Sequence, residues 1–166
     1  MENTITDINK KDFGSLASEI TYRRYSIEKI NLTKLFQDIS SGDYVALWVI
    51  RKLGEKDGGK EKIYLQEIAA DLKLPMPRVS EMAQRLRDRG LLIWTHDGDG
   101  SDGTYVKLTE SGKNVMEKQQ EILGKYYKKV IERFGEEDFV QMLKMLARLE
   151  KIMDEEAQDL DKNERS

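Results

Sequence analysis

The stretch Leu65-Gln-Glu-Ile-Ala-Ala-Asp-Leu-Lys-Leu-Pro-Met-Pro-Arg-Val-Ser-Glu-Met-Ala-Gln-Arg-Leu-Arg-Asp-Arg-Gly-Leu-Leu92 decides the fold. Leu65, Ile68, Ala69 and Leu72 recur at helical spacing, and so do Val79, Met82, Ala83 and Leu86. Between the two stripes stands Lys73-Leu74-Pro75-Met76-Pro77, where the chain is expected to turn because the residue before each proline is pushed from the helical region. Gly90 is expected to end the second helix as a left-handed cap. The spacing therefore predicts two short helices locked at a wide angle by Ile68, Ala69, Leu72, Leu74, Val79 and Met82. Arg78, Ser80, Glu81, Gln84, Arg85 and Asp88 are left on the outer face of the second helix.

Downstream, Leu91 to Thr95 and Thr104 to Leu108 read as two strands joined by an Asp/Gly loop, His96 to Gly103. Helix, turn, helix and hairpin together predict a mainly α fold, a winged helix-turn-helix with a small β-hairpin wing. Upstream, Ser40 with Asp43 three residues later is expected to start a helix that is apolar nearly all round from Tyr44 to Leu53 and so sits centrally. Lys60 to Tyr64 has room for a short strand. Outside this lobe, Phe13, Leu16, Ala17, Ile20 and Ile27 continue to Ile39 at amphipathic spacing, with a bend near Asn31 and Thr33. Thr109 caps a long helix, Gly135 breaks it, and Phe139, Met142, Leu146, Leu149 and Met153 carry a further stripe. The expected organisation is a tail at 1–12, dimerisation helices at 13–40 and 110–154, a DNA-binding lobe at 41–109, and an acidic tail at 155–166.

Composition narrows the chemistry. The 166 residues carry a net charge of −3, so a nucleic-acid surface must come from local clustering of Lys and Arg. Between Lys73 and Arg89 there are five basic residues against two acids. A helix with that face can enter the major groove with its N-terminal residues at base edges. The absence of cysteine excludes disulfides, thiolate metal sites and thiol-based oxidant sensing. His96 is the only histidine and has no orienting group apart from the acids of its own loop, so catalysis is not expected. The loop from Asp97 resembles a calcium loop only faintly: Asp102 stands where glycine is required and Leu108 where glutamate is. No cofactor and no metal are expected. No apolar run approaches the roughly 20 residues of a membrane span, and the first residues lack a signal peptide's apolar core, so a cytoplasmic protein is expected.

Three segments, SSGDYVALWVIRKL (40–53), the opening stretch (65–92) and YVKLTESG (105–112), resemble the multiple-antibiotic-resistance repressor (MarR) family. The flanking helices extend the resemblance over residues 13–154. It implies a homodimer built from the N- and C-terminal helices, two lobes reading double-stranded DNA, and often a small-molecule effector in the crevice between them. On this basis the DNA-binding candidates are Lys73, Met76, Arg78, Ser80, Glu81, Gln84, Arg85 and Arg89, and the effector candidates are Tyr22, Tyr25, Trp48 and Arg51. The expected function is a sequence-specific transcription regulator, a repressor on a palindromic operator. The alternative is a winged-helix protein-interaction module whose DNA binding is weakened or lost. The wing loop, acidic rather than basic, motivates it; a further departure is Glu81, which stands where the family often has arginine.

Overall fold

The computed structural model describes residues 12–56, 58–96 and 103–164. It contains α1 (Phe13–Glu28), α2 (Ser41–Lys56), β1 (Ile63–Tyr64), α3 (Leu65–Leu72), α4 (Met76–Asp88), β2 (Leu92–His96), β3 (Thr104–Leu108), α5 (Glu110–Phe134) and α6 (Glu136–Glu164). The chain divides into two compact units, one ending at Asp38 and the other spanning 39–166.

In the first unit, α1 stops at Glu28 rather than continuing the stripe toward Ile39. The Asn31 side chain accepts hydrogen bonds from the Thr33 backbone N–H (3.1 Å) and hydroxyl (2.6 Å). That local turn competes with helical bonding, and only a single 3-10 turn, Thr33–Leu35, follows. No residue of α1 is buried.

The second unit holds the core. Ser40 caps α2, its Oγ accepting from the Asp43 N–H at 3.1 Å. Ala46, Leu47, Val49 and Ile50 of α2 are buried, and the helix packs against α3, α4, α5, β1 and β3. Its centrality is as expected, but it is not covered all round: Val45 and Trp48 face outward, 43% and 44% exposed. The wing is a three-stranded antiparallel sheet in the order β1-β3-β2, with Ile63 opposite Val106 and Trp94 opposite Val106 on the other side. The short upstream strand covers one edge of the expected hairpin and places buried Ile63 and Val106 against α2 and α3.

Glu67 holds this edge to α3. Its carboxylate accepts from the Tyr64 N–H (2.9 Å) and pairs with Lys60. Burial pushes the Glu67 carboxyl up, but these hydrogen bonds and the Lys60 charge outweigh it and leave it below its usual range.

At the far end of α4, Gly90 takes a left-handed conformation (φ 73°) as expected for the cap. Thr109 caps α5, its hydroxyl accepting from the Gly112 N–H (3.0 Å) while donating to the Gly90 carbonyl (2.7 Å). Gly112 makes this junction possible, because a Cβ there would lie 2.2 Å from the Leu91 carbonyl oxygen. Residues 155–164, expected as an acidic tail, continue α6. Their high acid content is compatible with helix because no Pro or Gly interrupts it.

Gly112→Ala should destabilise the protein by about 1–3 kcal/mol, since backbone cannot yield to the added methyl. Gly124→Ala, on the same helix with open space around it, should stabilise by about 0.5–1 kcal/mol. Urea denaturation of the two variants checks both signs.

Candidate nucleic-acid interface and ligand cavity

The α3–α4 turn is not made by the prolines alone. Lys73 supplies it, with the left-handed conformation (φ 54°) that caps α3, while Leu74 N–H bonds back to the Ala69 carbonyl at 3.1 Å. Pro75 is the extended N-cap of α4, but Met76 and Pro77 lie inside the helix, contrary to expectation. A proline in the first turn loses no helical bond, because the N–H groups there have no partner in any helix. Val79, Met82, Ala83 and Leu86 are buried against the lobe. Met76, Arg78, Glu81, Gln84, Arg85, Asp88 and Arg89 are consequently exposed, and Ser80 is half-buried rather than fully outward.

The cations on this surface are not equivalent. Arg85 reaches across to Asp43 in the first turn of α2, with Nη2 2.7 Å from one carboxylate oxygen and Nε 3.4 Å from the other. The Asp43 side chain is 6% exposed and that of Arg85 is 55% exposed. The Asp43 carboxylate holds the guanidinium pKa above its usual value. Lys73 pairs with two acids of α6, Glu150 at 3.0 Å and Asp154 at 3.9 Å. Arg87 bonds Asp88 and lies over the Trp94 ring, 5.4 Å from its centroid. Arg78 forms no ion pair among the described residues, and neither does Glu81. Two of the expected DNA-contacting cations therefore already have carboxylate partners within the chain.

In the wing, residues 97–102 lie outside the described residues, and with them the acidic loop. At its base the His96 ring nitrogen Nδ1 and the Thr104 hydroxyl are 2.8 Å apart.

The effector candidates are spread over both units. Tyr22 and Tyr25 are exposed on α1, with Arg23 and Lys29 respectively over their rings. Trp48 is half-open on α2 beneath the Lys52 ammonium. Arg51 pairs with Glu55 at 2.9 Å and lines a cavity of about 470 Å³ in the second unit. Trp48 does not line it. The apolar wall includes Ile50, Ile63, Leu108 and Met116, and the cationic rim adds Lys60, Lys107 and Lys113 to Arg51. Lys60 and Lys107 are paired with Glu67 and Glu61, whereas Lys113 has no ion pair among the described residues. Sequence reasoning missed these lysines because β1, β3 and α5 bring them together from three separated segments. No group of three His, Cys, Asp or Glu side chains suited to a metal occurs among the described residues, and no described helix is long and apolar enough to cross a membrane.

A pair of short helices joined by a tight turn, a three-stranded wing and long helices recur together in solved structures. A MarR family protein from Bacillus stearothermophilus is 19% identical, with a TM-score of 0.61 over 89% of this chain and 99% of that one. This is the MarR-family fold. The organohalide-sensing regulator RdhR, solved with 2,4-dichlorophenol, is 22% identical, with a TM-score of 0.63 over 91% of this chain and 89% of that one. MepR of S. aureus, solved with DNA, is 20% identical, with a TM-score of 0.56 over 88% and 99%. No protein-family model matches the sequence, and no curated protein does either. The MarR-type architecture is thus established by shape at low sequence identity.

If Arg85 locks α4 to α2, its removal and that of Asp43 should not add. Arg85→Ala should cost about 1–3 kcal/mol, because it strands a buried carboxylate. Arg85→Ala combined with Asp43→Asn should cost clearly less than the sum of the single variants in urea denaturation. Strict additivity would show the pair to be energetically idle.

Proposed function

We propose that the chain is a homodimeric, sequence-specific DNA-binding transcription regulator that acts on a palindromic operator and is released by a small-molecule effector. The observation that carries this reading is α4. Its inward stripe is fully engaged, while its exposed face holds out Arg78, Glu81 and Gln84, with Met76 and half-buried Ser80 beside them. That is the arrangement by which a recognition helix reaches base edges in the major groove. Arg89, at the C-terminal end, is placed to meet a phosphate. Lys73 and Arg85 join the interface only so far as their carboxylate partners release them. Among proteins of the same fold, MepR was solved on DNA, which supports DNA as the partner.

Dimerisation is supported by α6. Across 29 residues it buries none, yet Leu143, Leu146, Leu149, Ile152 and Met153 are between 37% and 50% exposed. Helices of a globular protein gain most of their stability from packing an apolar face, and a second copy supplies that face by two-fold symmetry. The effector reading rests on the cavity at Arg51 and Lys113 and on the ligand-bound state of RdhR.

A protein-interaction module is favoured by one observation only, the engagement of Lys73 and Arg85 by carboxylates of the same chain. Selection from a random duplex pool separates the readings. A regulator enriches an inverted repeat whose half-sites lie about one helical turn apart. Arg78→Ala should then weaken binding by about 1–3 kcal/mol, measured by gel shift across a salt series. Failure to enrich any sequence, with association that ignores salt, would favour the protein-binding module. Sedimentation at micromolar concentration should give a dimer, and a monomer would overturn that part of the proposal.

A further inference from the structure

On the exposed face of α4, Glu81 is a carboxylate with no ion-pair partner among the described residues, one turn beyond the similarly unpaired Arg78. Its other cationic neighbour, Arg85, is already committed to Asp43 through two hydrogen bonds. Glu81 acts on that guanidinium through its charge, but no ion pair or side-chain hydrogen bond ties its carboxylate among the described residues, so an exposed acceptor stands where the proposed function brings a polyanion. Such a charge opposes binding to every sequence through its repulsion from phosphates. It becomes favourable only where the groove offers hydrogen-bond donors. In the major groove those donors are few: the N4 amine of cytosine and the N6 amine of adenine. Guanine and thymine present acceptors or a methyl there.

We propose that Glu81 is a specificity-determining residue that selects an exocyclic amine, beside an acceptor-bearing base read by Arg78. The argument rests on α4 being the reading helix. Three helical residues advance about 4.5 Å along the axis, against about 3.4 Å between stacked base pairs. Arg78 and Glu81 thus reach the same pair or adjacent pairs. A G·C pair satisfies both at once, since guanine O6 and N7 accept from a guanidinium while the cytosine N4 amine donates to a carboxylate. Each residue also sets the penalty for the wrong base. Arg78 opposite an amine leaves a donor facing a donor, and Glu81 opposite guanine O6 leaves two acceptors in contact. The surface reads by rejection as well as by attraction.

The experiment is selection from a random duplex pool with the wild-type chain, Glu81→Ala and Glu81→Gln. Because Glu81 is exposed and bears no internal hydrogen bond among the described residues, both variants should fold, which thermal unfolding checks. Wild type should require cytosine or adenine at one position of each half-site. Glu81→Ala should lose that requirement and bind unrelated duplexes more tightly, while Glu81→Gln should shift the position toward adenine, which an amide can bond bidentately. The decisive arm deletes the amine itself, with 2-pyrimidinone in place of the selected cytosine, or purine in place of a selected adenine. Wild type should lose about fivefold or more in affinity, and Glu81→Ala should lose nothing. Equal base preferences in wild type and Glu81→Ala would overturn the assignment of Glu81, leaving DNA reading by α4 intact. A wild-type chain that enriches no duplex would remove the reading surface and this inference with it.

Discussion

The contact between Asp43 and Arg85 fixes the geometry on which the lobe depends. A carboxylate in the first turn of α2 is well placed by the positive end of that helix, and its burial makes the partner obligatory. The apolar stripe of α4 determines which face turns inward, but a stripe tolerates some rotation about the helix axis. Two hydrogen bonds from one guanidinium to one carboxylate tolerate much less. The bridge therefore sets the rotation of α4, and with it the direction in which Arg78, Glu81 and Gln84 face.

Much of this architecture was legible because it follows from local rules. The stripes of α3 and α4, the Ser40 cap, Gly90 and the Thr109 cap each act within four residues, and each stands as the sequence suggested. What escaped the sequence reading is of longer range. The pairing of Arg85 with Asp43 spans 42 positions, and that of Lys73 with Glu150 spans 77. A count of basic residues treats Lys73, Arg78 and Arg85 alike, whereas of these three Arg78 alone has no ion pair among the described residues. The prolines misled for a different reason. Their rule concerns the residue before them, and the first turn of a helix relaxes the rule's usual consequence, since Met76 precedes Pro77 and is nevertheless helical.

The cavity shows the same division between local and distant. Arg51 was accessible to sequence reasoning because it lies one turn from Trp48 on α2. The remaining rim cations come from β1's approach, β3 and the start of α5, and only the fold assembles them. Their charges are mostly spent within the protein: Glu55, Glu67 and Glu61 answer Arg51, Lys60 and Lys107. The apolar wall is accordingly as important as the rim for anything that enters.

The junction at Gly112 has a mechanical meaning. Thr109 is hydrogen-bonded through its hydroxyl to Gly90 and through its N–H to Leu91, and Gly112 lies against that same Leu91 carbonyl. The end of α4, the start of β2 and the start of α5 are thus pinned within a few ångströms of one another. Beyond this pivot α5 extends for 25 residues. A helix of that length is a lever about 37 Å long, and a swing of roughly 5° at the pivot moves its far end by about 3 Å. With so little slack at the fulcrum, a displacement of the distant end would be passed to the end of α4 and the start of β2 rather than absorbed at the junction.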